Sequence, residues 1–507
     1  MKKINRFFED NKYALLVLFI ISLITFGYLG TNAVVNIDGI QELVLNKADF
    51  HYCDFIGYLY SGRWGWGIIS YIFGYYPAPV FLLVFNSALF SISAIILSKI
   101  FNIKKNFNKI LIGLVLIAFP YGINMYAYLG HQYIMGIAYF SCIYGIYKLI
   151  NVNKWYDYVI SILFLTFGIS IYQTYIPFIA VLMVFISIMR LNKKDNIKLI
   201  IKDIFKYLLV MIISCVLYAV ILKILLALTN SELTSYQGIN TMFEFEFKDV
   251  INNFGKTFAK IFQFDTSSNF FPKILQFILC ILILAAVSLN LKNVKIKYYP
   301  LYILLVIVLF MSPRLLQYFK PYSSYHVLTK ISFSVYYAGF IGLLLYNIEN
   351  FKKSFYVSYA YKVITVLVVF VGLAFLVKDN QASYMVHQVS NFSFSIINRL
   401  QMKIEKLNGY DKTKRQKILF LGYSPYWLTG NTDVYYHLET GITLSFVVTD
   451  VKFVDALNVL GGNYEIFQLK DNNQLYFEAK EYAENHKNYP ADGSVFMYKD
   501  LIVVKFN

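Results

Sequence analysis

Two side chains in the first long polar stretch have the chemistry that group transfer from a phosphate needs. The segment Val35-Asn36-Ile37-Asp38-Gly39-Ile40-Gln41-Glu42 follows the first apolar block directly, and the same stretch closes on Ser61-Gly62-Arg63-Trp64-Gly65-Trp66. A carboxylate at Asp38 can take the proton from an attacking hydroxyl. A cation such as Arg63 can hold the negative charge that gathers on a phosphate leaving group. Where an apolar helix leaves a membrane, Asp38 would stand at head-group level beside a lipid-linked substrate, with residues 39–60 forming a half-buried helix. The same position also suits a simple helix cap, because aspartate is a favoured N-cap residue.

Further candidates sit at the ends of other apolar blocks. Arg314 follows Pro313 at such an exit and suits a phosphate clamp, with Lys320 a short way on. Lys223 and Lys273 lie just inside block ends, where a long stem lets the ammonium reach the head groups, so we read both as snorkelling. His131 and Gln132 open the fourth block and Tyr172-Gln173 close the fifth. Flat apolar faces joined to hydrogen-bonding groups suit a sugar, although aromatic residues at that depth also serve as interface anchors. The chain has no Walker loop, HExxH, GxSxG or dinucleotide fingerprint. Its four cysteines (Cys53, Cys142, Cys215, Cys280) show no CxxC spacing. No metal and no cofactor is expected.

The elements that must position these residues are set by composition. Hydrophobic residues make up 58% of the 507 and charged residues 15%, against roughly 45–50% and 25% in soluble globular proteins. The formal charge of +17 follows no stripe of the kind that binds nucleic acid; it lies between apolar blocks. Those blocks fall near 13–35, 80–98, 110–120, 131–147, 157–171, 176–189, 207–229, 273–290, 299–312, 331–347 and 361–377. Most approach the roughly 17–25 residues of a spanning helix, the third and fifth being short. The first is too long for the core of a signal peptide and is read as a retained helix. With the N-terminus inside, alternate loops carry 22 Lys and Arg residues and the opposing loops 8. Positive loops stay inside, so the N-terminus is expected in the cytoplasm and the tail outside. The fold expected is an all-α polytopic membrane protein of about eleven transmembrane helices (1–377), then a linker with a juxtamembrane helix (378–410, helical over 392–407). A small extracytoplasmic α/β domain (411–507) follows, with strand-like runs at 418–421, 443–448 and 464–469 and a hairpin over 494–505. The abundance of Lys, Asn, Ile, Tyr and Phe points to an AT-rich bacterial genome, hence a plasma-membrane location.

Asp38 after the first helix, then Gly62-Arg63-Trp64, resembles the membrane glucosyltransferases that decorate bacterial O-antigens, within the GT-C superfamily. Tyr172-Gln173, the stretch from Pro313-Arg314 to Lys320-Pro321, and Tyr489-Pro490-Ala491-Asp492-Gly493 followed by Ile502-Val503-Val504 extend the likeness to the C-terminus. The resemblance implies a polyprenyl-phosphate sugar as donor, glucose first, and inversion at the anomeric carbon. The acceptor would be a surface polysaccharide or its lipid-linked precursor. Asp38 would be the base, Arg63, Arg314 and Lys320 would bind the donor phosphate, and Glu42, Trp64, His131, Tyr172 and Gln173 the sugar or acceptor. Many members carry paired acids at the first motif, whereas here Ile37 precedes Asp38. The second role is then empty or passes to Glu42, one helical turn on. Because no cytoplasmic segment is large enough to bind a nucleotide sugar, the donor must come from the lipid phase, with a separate synthase and flippase supplying it. A transporter or flippase would place ionisable or helix-breaking residues near the midplane, often in repeated halves, and no repeat is visible. A polysaccharide polymerase or ligase would share the outer-face site.

Overall fold

The computed structural model describes residues 2–32, 34–35, 39–40, 55–73, 78–192, 196–235, 246–258, 272–319, 327–350, 355–422 and 450–506. Asp38, Glu42 and Lys320 lie outside these residues, as does the strand expected over 443–448.

The chain opens with α1 (Lys2–Thr31), α2 (Phe55–Tyr60), α3 (Trp64–Ile72), α4 (Pro79–Ile100) and α5 (Asn106–Ile117). There follow α6 (Tyr121–Tyr126), α7 (Leu129–Gln132), α8 (Met135–Ile150), α9 (Trp155–Ile171), α10 (Tyr175–Asn192) and α11 (Ile197–Leu228). Next come α12 (Phe247–Phe258), α13 (Lys273–Leu291), α14 (Tyr299–Met311), α15 (Leu315–Phe319), α16 (Ser332–Asn350) and α17 (Phe355–Glu405). Among the described residues eight helical stretches are long and apolar enough to cross a membrane, and three shorter apolar helices, α5, α8 and α9, fill the remaining expected blocks. α4, α10 and α16 are mostly buried, whereas α11 and α14 turn most of their surface outward. A helix that is apolar all round must have either protein or lipid on every side.

The contacts define two ends of this bundle. At one end Lys109 Nζ donates to Asn11 Oδ1 (2.7 Å), and Glu349 accepts from the backbone of Lys104 (3.0 Å) and from Asn108 Nδ2 (2.6 Å). The other end gathers the exit of α1, α2, α3, α6, α7 and the start of α10. There the structure departs from the sequence reading. The stretch 121–130, expected as an outer loop, instead enters two short helices, and its residues 122–130 are buried. It contains no charged residue, and its backbone is satisfied internally: His131 N–H donates to Tyr128 O (3.0 Å) and Ala127 N–H to Ile123 O (2.9 Å). Asn86 pins its far side, donating to Gln132 O (2.7 Å) and accepting from Gly136 N–H (3.0 Å). Irregular backbone at such depth persists only inside protein or along a polar cavity.

α17 is a second departure. The separate juxtamembrane helix expected over 392–407 is the end of one helix of 51 residues. No proline occurs in α17 and its one glycine is Gly372, so nothing breaks the helix after the membrane segment. A buried stripe runs its whole length, through Ile364, Val368, Val371, Phe375, Asp379, Ala382, Val386 and Val389 to Ile396, Leu400 and Ile404. Its last turns pack into the C-terminal domain with Val35 and Ile40, the apolar residues on either side of the Asp38 segment. Val35 N–H also donates to Ser390 Oγ (3.1 Å).

The domain itself holds β1 (Gln416–Leu421), α18 (Asp450–Val459), β2 (Tyr464–Ile466), α19 (Asn473–Ala483), β3 (Val495–Tyr498) and β4 (Leu501–Lys505), with sheet order β2-β1-β4-β3. β1 runs parallel to β2 and β4, while β3 and β4 form the expected hairpin, pairing Phe496 with Val503. Lys403 Nζ of α17 donates to Asp492 Oδ1 (2.8 Å), and this ammonium holds the Asp492 carboxyl below the usual range. Tyr489 N–H donates to Lys505 O (2.7 Å) and its ring is buried in the shared core. The Tyr489–Gly493 motif thus ties the sheet to the helix.

Candidate active site

The site begins at the turn before α3. Gly62 adopts a left-handed backbone (φ 70°), a conformation that a side chain disfavours. Gln173 Nε2 donates to Ser61 O (3.1 Å) and Gly62 O (3.1 Å), and Tyr218 Oη donates to Gly62 O (2.9 Å). A Cβ on Gly62 would lie 2.8 Å from both Gln173 Nε2 and Tyr218 Oη. Glycine also lets α3 approach its neighbours: a Cβ at Gly65 would run into Ser170 at the end of α9, and one at Gly67 would sit 2.8 Å from the Phe55 ring.

The fixed turn aims Arg63 into a closed circle of rings. Its guanidinium carbon lies 4.5 Å from the Tyr172 ring centroid and 5.3 Å from that of Trp66. Trp66 meets His131 edge to face at 4.4 Å, and His131 meets Tyr172 at 5.9 Å. Tyr58 stacks on Trp66 at 4.6 Å and Tyr128 approaches His131 at 5.2 Å. All these rings are buried, while Arg63 is half-buried. An Arg over desolvated π faces gains about 2 kcal/mol or more and needs no carboxylate to hold it.

Several buried polar groups on these segments make no hydrogen bond among the described residues. Arg63 Nε, Trp64 Nε1 and Trp66 Nε1 are buried and make no hydrogen bond. Neither amide atom of Asn124 is bonded, nor are Gln132 Oε1, Thr174 Oγ1 and Tyr175 Oη. Each such group costs about 1–3 kcal/mol, a cost that a bound polar molecule would offset.

Of the residues singled out in the sequence, Arg63, His131, Tyr172 and Gln173 converge here. Trp64 is buried beside the site, but Trp66 supplies the ring in the circle. Arg314 stands on a neighbouring wall: its turn, Ser312–Arg314, packs against α10 and α16 and receives Ser332 Oγ on Pro313 O (3.0 Å). Lys223 and Lys273 are exposed on the bundle surface. Among the described residues no group of three or more His, Cys, Asp or Glu could hold a metal. Sequence reasoning missed Tyr218, which lies inside a long apolar block, and Asp379. The Asp379 carboxyl is wholly buried with neither oxygen hydrogen bonded, on the α17 stripe that faces the bundle.

These features define a polytopic membrane protein with an aromatic and cationic site at one end of its helices. The family model for glucosyl transferase GtrII matches residues 27–347, well over half of the chain, and the chain belongs to that family. It is a membrane glucosyltransferase. No curated protein and no solved structure matches it. The match takes in the first loop, the ring circle and Arg314, and stops short of α17 and the C-terminal domain.

Proposed function

We propose that the protein transfers a sugar, glucose first, from a polyprenyl-phosphate donor to a surface polysaccharide or its lipid-linked precursor at the outer face of the bacterial plasma membrane. The observation that carries this reading is the Arg63–Trp66–His131–Tyr172 circle, in which Arg63 Nε and Trp66 Nε1 make no hydrogen bond among the described residues. It lies at the end of the bundle where the Asp38 loop is anchored through Val35 and Ile40. An Arg held by rings keeps its N–H fork for phosphate oxygens, and aromatic faces suit a hexose. Placement of the site at one end of the helices, away from their middle, favours transfer over transport.

In this mechanism Asp38 removes the proton from an acceptor hydroxyl as that oxygen attacks the anomeric carbon. The bond from that carbon to the phosphate oxygen breaks from the opposite side. Its electron pair leaves with the lipid phosphate, whose charge Arg63 and Arg314, with Lys320, stabilise. Attack from the far face inverts the anomeric centre, as in the GT-C enzymes. The test is transfer from polyprenyl-phosphate glucose by purified protein. Asp38→Asn should lower the rate about 10²–10⁴-fold, the usual share of a general base, with thermal unfolding unchanged. Near-normal turnover by Asp38→Asn would end the assignment, and a dead Glu42→Gln variant would move the base one turn along. Loss of a glucose branch from surface glycans in cells lacking the protein would identify the acceptor.

A further inference from the structure

At the end of the bundle opposite the ring circle, a cavity of about 280 Å³ opens where α4, α8 and α10 finish. Lys99, Asn102, Tyr147, Asn151 and Arg190 line it. Lys99 forms no ion pair among the described residues; its ammonium rests over the Phe7 ring at 4.1 Å. Arg190 is steadied by Asp203 (3.0 Å), but that carboxylate is shared with Lys206 (3.2 Å). Asp157 is matched by Lys148 (3.1 Å). Lys109, which adds to the positive field at Lys99, is hydrogen bonded to two amide oxygens and also faces the Asp10 and Glu349 carboxylates. Three helix C-termini contribute roughly half a negative charge each, and Asp10 and Glu349 oppose the nearby lysines as well. Among the residues that line the confined space itself, the charged ones, Lys99 and Arg190, are both cations.

We propose that this cavity binds a phosphate group, and that its source is the head group of an anionic phospholipid. An ammonium, a guanidinium, two amides and a phenol line it, with Asn151 Nδ2 also donating to Tyr147 O (2.9 Å); several donors of different kinds suit a tetrahedral oxyanion better than a planar carboxylate. The volume equals about nine waters at roughly 30 Å³ each, enough for a glycerophosphate head. Basic pockets between membrane helices at the cytoplasmic surface are suited to anionic head groups. Retention of loop charge inside needs cations in loops and no cavity among them. Assignment to the inner leaflet rests on the orientation proposed above, whereas binding itself does not.

Full-length protein in phosphatidylcholine nanodiscs, with and without a minor fraction of phosphatidylglycerol, tests this by its thermal midpoint and by the phospholipid it retains in native mass spectrometry. Phosphatidylglycerol should raise the wild-type midpoint. Lys99→Gln should weaken retention roughly fivefold, the effect of about one juxtamembrane cation, while Lys99→Arg keeps it. Lys12→Gln removes the same charge from an exposed position at this end and should leave retention unchanged. Tyr147→Phe, which deletes one hydroxyl, gives a second reading if Lys99→Gln does not fold. In detergent without lipid, inorganic phosphate replaces the vesicle: a midpoint shift there alone, lost in Lys99→Gln, would keep the phosphate site and reassign its source to free phosphate. No shift with either probe, or equal losses in Lys99→Gln and Lys12→Gln, would overturn the site.

Discussion

Arg63 takes its place from π faces and a pinned turn, with no carboxylate partner among the described residues. Its guanidinium therefore stays available to an incoming anion. Lysine at this position would keep the charge but lose the planar fork and the stacking on Tyr172 and Trp66. Hydrogen bonds to charged groups contribute about 1.5–3 kcal/mol, so Arg63→Lys should lower kcat/KM for the donor roughly ten- to a hundredfold while membrane insertion stays normal. A wild-type value in the transfer assay would mean that charge alone suffices. Asp379 presents the reverse case, a carboxyl with no hydrogen bond among the described residues, on a buried stripe whose other polar groups are uncharged. An ionisable group buried in a membrane domain is costly and marks function more often than stability. Asp379→Asn should leave the thermal midpoint unchanged and Asp379→Leu should raise it, while sugar transfer falls in both. A lowered midpoint in both variants would show that the carboxyl supports the fold.

At the scale of elements, the Ser61–Gly62 turn couples three distant helices, because Gln173 follows α9 and Tyr218 belongs to α11. Gly62→Ala meets two obstacles, a left-handed backbone costing about 1–2 kcal/mol and the close approach to Gln173 and Tyr218. Transfer should drop several-fold with little loss of expression. Gly409→Ala is the matched control: its φ is 92° with open space around it, so it carries the backbone cost and should leave transfer intact. The convergence of His131, Tyr172 and Gln173 was legible because each sits at the end of an apolar block, and ends on one side of a membrane share a plane; Arg63 was legible as the cation that closes the first polar stretch on that side. The choice between Trp64 and Trp66 was not: two residues apart lie roughly 200° round a helix, and only packing decides which faces inward. Tyr218 gave no signal within a block that reads as lipid-facing throughout. Asp379, just past a block end, looked like an ordinary head-group residue. The buried stretch 121–130 hid behind the habit of giving every gap between apolar blocks to solvent, although its lack of charge was visible.

At the scale of the molecule, the loops on the side of the ring circle are the ones poor in Lys and Arg. In the proposed orientation, which rests on the rule that basic loops stay inside, the ring circle and the sheet domain lie outside. Single cysteines at Lys104 and Lys470, both exposed, in a background lacking the four native cysteines, would test this with an impermeant thiol reagent on intact cells. The Lys470 position should label and the Lys104 position should not; the opposite pattern would invert the protein.

α17 gives that outward domain a property of its own. At about 1.5 Å per residue its 51 residues make a rod of about 77 Å, more than twice the roughly 30 Å hydrocarbon core. Phe375 faces the bundle and Ile396 faces the sheet from a single unbroken stripe, so the two ends keep one angular phase. A residue added between them would swing the domain by about 100° and lift it by about 1.5 Å, turning the sheet away from Val35 and Ile40. Seven added residues, nearly two turns, would restore the angle to within about 20° but raise the domain by about 10 Å. Length in this stretch is in effect quantised, and the shaft sets both the height and the bearing at which the domain meets Val35 and Ile40.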